Sequence, residues 1–91
     1  MKTKRFHQRS WIDIIACILE DYNESSGRRG VYRCNLSLSQ LNLYEDYLVE
    51  AGFLKVSRRE NGVKVFETTQ KGKEFLRDYR KIRASLDKMS F

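Results

Sequence analysis

Three signals between residues 37 and 62 leave the middle of this 91-residue chain little conformational freedom. Ser37-Leu38-Ser39-Gln40 has the form of a capping box, in which the serine side chain accepts from the helix start and the glutamine reaches back to the serine N–H. Ala51-Gly52 supplies the stop, because a glycine just past the last turn takes the left-handed conformation without steric cost. Between them Leu38, Leu41, Tyr44 or Glu45, and Leu48 trace one inward line with Tyr47 beside it, so a single amphipathic helix is expected. Glu60-Asn61-Gly62 then separates two short runs, Phe53 to Arg59 and Val63 to Thr68, and Asn-Gly between such runs predicts a β-hairpin. A capped helix leading directly into a hairpin restricts the fold more than any other feature of the chain.

The flanks supply further helices. Ser10 with Asp13 forms a variant capping box, and Trp11, Ile14, Ile15, Ile18, Leu19 and Tyr22 repeat on one helical stripe until Asn23-Glu24-Ser25-Ser26-Gly27 ends it. Arg28 to Cys34 reads as a short second helix, weakened at Gly30 by about 1 kcal/mol relative to alanine, with Asn35 and Leu36 as the turn before Ser37. Thr69 can cap a last helix, in which Phe75, Tyr79, Ile82, Leu86 and Met89 alternate spacings of four and three, a heptad seam with Leu76 alongside. Lys71, Lys73, Arg77, Arg80, Lys81 and Arg83 make the rest of its surface basic.

Composition narrows the function classes. Eighteen Lys and Arg against twelve Asp and Glu give a net charge of +6, which favours a polyanionic partner. No apolar run is long enough to cross a membrane, and the basic start MKTKRFHQRS is followed by a stretch interrupted by Asp13 and Glu20, so a cytoplasmic protein without a signal peptide is expected. Cys17, Cys34 and the single histidine, His7, do not form a metal-ligand pattern. In a reducing compartment the two cysteines are expected to pack as small hydrophobic thiols, a disulfide requiring their Cα atoms to lie close together. One histidine, no glycine-rich phosphate loop and no paired catalytic motif argue against an enzyme, a cofactor or a small-molecule substrate. Asp13, Glu20 and Asp21 are expected on a solvated helix face.

A short helix, a tight turn, a capped helix and a hairpin together spell an α+β, mostly α, winged helix-turn-helix: three helices and a wing over residues 10–68, a basic arm over 1–9, and a C-terminal helix for dimerisation over 69–91. The Ser37–Val49 helix would present Ser37, Ser39, Gln40 and Asn42 to the major groove of double-stranded DNA, Gln40 and Asn42 being suited to an adenine edge. Arg28, Arg29 and Arg33 on the preceding helix, and Arg58, Arg59 and Lys64 on the wing, would hold phosphates. Lys2, Lys4, Arg5 and Arg9 make the arm a further backbone contact. The alternative is a winged-helix module for protein–protein interaction, for which an exposed Leu43 with Glu45 and Asp46 would suit.

The succession WIDIIACILE, NLS, SQL, AGFL and TQKGKEFL resembles the archaeal winged-helix-turn-helix family of small basic DNA-binding proteins, over roughly residues 10–85. The resemblance implies a homodimer on double-stranded DNA, acting as a transcriptional regulator or a nucleoid-associated protein. It also implies pairing of the C-terminal helices through Phe75, Tyr79, Ile82, Leu86 and Met89, in the manner of an antiparallel coiled coil. Asn35 and Ser37 match the start of the family's recognition helix. Gly30 stands where the family usually has a large apolar residue, Glu45 and Asp46 bring negative charge to the recognition helix, and the terminal helix is shorter than in coiled-coil members.

Overall fold

The computed structural model describes residues 10–24 and 33–89. Within them the order is α1 (Trp11–Glu24), α2 (Leu38–Glu50), β1 (Leu54–Arg58), β2 (Lys64–Thr68) and α3 (Gln70–Lys88). Most of the expected short helix, including Arg28, Arg29 and Gly30, lies outside the described residues, as does the arm. Arg33 is helical, Cys34 and Asn35 turn, and Asn35 takes the left-handed conformation with φ 56°, one that asparagine tolerates better than most residues.

Local signals become local structure in the way their chemistry requires. Ser10 N donates to Asp13 Oδ2 at 3.1 Å and Asp13 N to Ser10 Oγ at 3.3 Å, a capping box built with aspartate. Leu36 and Leu41, on either side of the Ser37 cap, are both buried in the core, the positions of a hydrophobic staple. At the other end of α2, Gly52 sits at φ +87°, its N–H bonds Val49 O at 3.0 Å, and Phe53 N–H bonds Leu48 O at 2.9 Å. That pair of bonds is a Schellman motif. The next orphan carbonyls of α2 are taken by the start of α3: Thr69 Oγ1 donates to Gly52 O at 2.6 Å and Lys71 Nζ to Ala51 O at 2.9 Å. The end of α2 is thereby fixed to the helix that follows the wing.

The wing is a two-stranded antiparallel ribbon in which Val56 pairs with Phe66 and Arg58 with Lys64. Its connection runs through Glu60, Asn61 and Gly62, with Gly62 N–H on Arg59 O at 2.8 Å and φ +84° at Gly62. Only the glycine of the Asn-Gly pair is left-handed, so the loop is the three-residue type closed by a glycine bulge.

One core holds these elements together. Ile15, Ala16, Ile18, Leu19 and Tyr22 of α1, Leu41 and Leu48 of α2, Leu54 and Phe66 of the wing and Leu76 of α3 are all buried. The tilted rings of Tyr22 and Phe66 lie 5.4 Å apart between centroids, those of Phe53 and Phe75 5.3 Å apart, and Thr68 Oγ1 donates to Leu19 O at 2.7 Å within the core. Glycine is required at position 72, where α3 passes the wing: a Cβ there would lie 2.5 Å from Phe53 O and 2.7 Å from Thr68 Cγ2. Gly-to-Ala in a helix ordinarily stabilises by about 1 kcal/mol. Gly72→Ala instead is expected to destabilise by about 1–3 kcal/mol, the cost of overpacking against rigid backbone, read as a lower urea midpoint at unchanged slope.

Several sequence expectations are corrected. Trp11 begins the α1 stripe but is 60% exposed, because the first residue of the helix extends beyond the core. Leu38 and Tyr47 are likewise exposed; the inward face of α2 is Leu41, Glu45 and Leu48, with Tyr44 partly covered. Glu45 is buried and accepts a hydrogen bond from the Tyr22 hydroxyl. Asp21 is buried rather than solvated, while Glu20 bonds Arg80 Nη2 at 2.6 Å. Cys17 and Cys34 are joined by a disulfide, their Cα atoms 5.9 Å apart, in place of the two packed thiols expected.

Candidate nucleic-acid interface

The candidate interface consists of the amino-terminal half of α2 and the wing. At the helix start, Gln40 N donates to Ser37 Oγ at 3.1 Å, Ser37 N donates to Gln40 Oε1 at 3.0 Å, and the Ser37 and Ser39 hydroxyls are 3.2 Å apart. Three of the four residues expected to face bases therefore first define the cap. They remain exposed, and the cap does not use the Gln40 amide NH2 group. Asn42 is also exposed, on the next turn.

Successive helical residues turn by about 100°, so the ridge of α2 opposite Leu41, Glu45 and Leu48 is Ser39, Leu43, Asp46 and Glu50, all exposed. α2 has no lysine or arginine along its length. Its polarity runs from neutral hydroxyls and amides at the amino end to carboxylates at the carboxyl end, which directs any approach to phosphate toward the first turns.

The wing carries the opposite charge. Arg58 and Lys64 are directly opposed across the ribbon, a like-charge pairing that costs stability in a two-stranded sheet. Arg58 Nη1 donates to Gly62 O at 3.3 Å, while Asn61 Oδ1 accepts from Val63 N at 3.0 Å, so the tip is ordered around its cations. Arg58 and Lys64 share a groove with Asp46 and Glu50 of α2. No ion pair bridges that groove among the described residues, and Arg59 is exposed beside it.

Other expected cations have intramolecular duties. Arg33 Nη1 lies 3.1 Å from Asp21 Oδ1 and 3.0 Å from Glu24 Oε1, so it neutralises a buried carboxylate and ties α1 to the segment entering α2. On α3, Arg80 holds Glu20, and Tyr79 donates to Asp13. Burial and that bond push the Tyr79 phenol up to about 12, and the same bond holds the Asp13 carboxyl below its ordinary range. The terminal seam divides accordingly. Phe75 and Tyr79 pack against the core of their own chain, while Ile82, Leu86 and Met89 extend past it with their side chains exposed.

Sequence reasoning missed the buried pairs, Tyr22 with Glu45 and Asp21 with Arg33. Spacing offered a signal only for Glu45, which falls between Leu41 and Leu48 on the inward line. Among the described residues no cluster of metal-ligating side chains occurs, and no helix is long and apolar enough to cross a membrane.

A winged helix-turn-helix family model matches residues 8–87 of the chain. Among solved structures, the crystal structure of Sso10a-2, a DNA-binding protein from Sulfolobus solfataricus, aligns with a TM-score of 0.70 at 27% identity, covering 89% of this chain and 88% of that one. No curated protein matches. The order of capped helix, wing and terminal helix in this chain and the near-complete span of the family match agree: this chain belongs to the winged helix-turn-helix family.

Proposed function

We propose that this protein binds double-stranded DNA as a homodimer, serving as a transcriptional regulator or a nucleoid-associated protein. The first turns of α2 enter the major groove, where Ser39, Gln40 and Asn42 approach base edges. Arg58, Arg59 and Lys64 hold the flanking phosphates. The observation that carries the reading is the cross-strand opposition of Arg58 and Lys64. A small wing that sets two cations side by side loses stability unless an anion neutralises them; among the described residues neither Asp46 nor Glu50 of the same groove pairs with them, which leaves both cations to a DNA phosphate. The similarity to a DNA-binding protein of archaeal origin supports the same partner, as does the net charge of +6.

The test is binding to a random-sequence duplex titrated across salt by fluorescence anisotropy. Arg58→Ala with Arg59→Ala is expected to weaken binding to every sequence alike and to lower the log–log salt slope by about two. An unchanged slope removes the wing from the interface. A second reading, a protein-interaction module, is favoured by one observation: the outer ridge of α2 offers Leu43, Asp46 and Glu50 and no cation. It predicts no DNA binding at low salt.

A further inference from the structure

We propose that Leu43 reads thymine, through the C5-methyl group that this base alone presents in the major groove. The inference rests on the DNA-binding reading above and names the bases that the site prefers. Leu43 is 71% exposed, more than any other large apolar side chain among the described residues. It sits at the centre of the outer ridge of α2, between Ser39 and Asp46, and opposite the buried line of Leu41, Glu45 and Leu48. Helical side chains lean toward the amino terminus, so Leu43 leans into the half of α2 that enters the groove.

What surrounds Leu43 defines what it can recognise. Bidentate reading of guanine calls for arginine or lysine, and α2 has neither. Asp46 and Glu50 on the next turns repel the phosphate backbone and keep the carboxyl half of the helix out of the groove. Leu43 is therefore the apolar side chain of the ridge Ser39, Leu43, Asp46 and Glu50, and it has no hydrogen-bonding group. Of the four bases only thymine shows an apolar feature in the major groove. A base edge bearing N–H or carbonyl groups alone would lose water against Leu43 and gain no bond in return. Asn42 next to it is of the type that pairs with adenine, so the two neighbours together favour A·T pairs.

The probe is a pair of A·T-rich duplexes of one sequence, one with thymine and one with deoxyuridine in every thymine position. The native chain and Leu43→Ala are titrated with both by fluorescence anisotropy. The native chain is expected to bind the uracil duplex at least about fourfold more weakly, the loss from about 0.8 kcal/mol per methyl removed from an apolar contact. Leu43→Ala is expected to bind the two duplexes equally, with its salt slope unchanged. Equal affinity of the native chain for both duplexes, with a normal salt slope, overturns the methyl contact and leaves DNA binding in place. A preference for thymine that persists in Leu43→Ala also overturns it, by assigning the preference to duplex shape. Failure to bind either duplex at low salt overturns the DNA reading and this inference with it.

Discussion

Reduced with dithiothreitol, the chain is expected to lose about 3 kcal/mol of unfolding free energy by the chain-entropy estimate for a loop of this length, the Cys17–Cys34 bridge having a sequence separation of 17. The bridge closes a loop that holds the end of α1, the short segment after it and the turn into α2. Opening it restores conformational freedom to the unfolded chain across that whole stretch. A loss of this size is a large share of the stability of a small single domain. The local consequence is on α2, because Cys34, Asn35 and Leu36 lead directly into the Ser37 cap. Urea unfolding with and without reductant, and of Cys17→Ser with Cys34→Ser, gives the magnitude; coincident curves would mean the bridge does not constrain the unfolded state. The double variant without reductant should superpose on the reduced native chain.

The bridge also shows where sequence reasoning reached its limit. Wherever a signal is local, it could be read directly: the Ser37–Gln40 box, the Gly52 stop, the Glu60-Asn61-Gly62 connection and the Thr69 cap each act through bonds within a few residues. The fold followed, since these elements in this order have few ways to share one core. What could not be read depends on distant segments meeting. Cys17 approaches Cys34 only when α1 and the α2 turn pack together. Asp21 looks like any helix-surface carboxylate until Arg33 covers it, and Tyr79 reaches Asp13 only across the α1–α3 crossing. The candidate site shows the same division. The wing cations were legible because a hairpin tip is exposed whatever the rest of the fold does. Arg33 reads in the sequence as a phosphate contact, and its pairing with Asp21 and Glu24 becomes visible only when α1 packs beside it. Trp11, Leu38 and Tyr47 fit an apolar period and yet face outward, since periodicity gives the direction of a stripe and not the extent of the core beneath it.

For the homodimer proposed above, Ile82→Asp with Leu86→Asp is expected to convert dimer to monomer in sedimentation, with helical circular dichroism retained. The first half of α3 is anchored on its own chain by Leu76, Phe75, Tyr79 and the Arg80–Glu20 pair. Beyond that point Ile82, Leu86 and Met89 stay 59%, 48% and 63% exposed. They continue the heptad seam, so a second copy of α3 can cover them without disturbing the intrachain core. Covering each such side chain contributes about 1.5–3 kcal/mol, and the double substitution removes four of these contributions from a symmetric dimer. It also places carboxylates in the seam, where they lose water without gaining partners. Phe75 and Tyr79 remain in place, so the monomer should stay folded. DNA binding separates the two roles further. Each monomer keeps its wing and α2, while the loss of the second half-site of the proposed dimer removes the effective concentration that linked binding provides, an expected weakening of about 10²–10⁴-fold. A variant that still sediments as a dimer would put the interface on another surface, with Trp11, Leu43 and Tyr47 the exposed apolar group to test next. A monomer that binds DNA as tightly as the native chain would instead show that one half-site is sufficient.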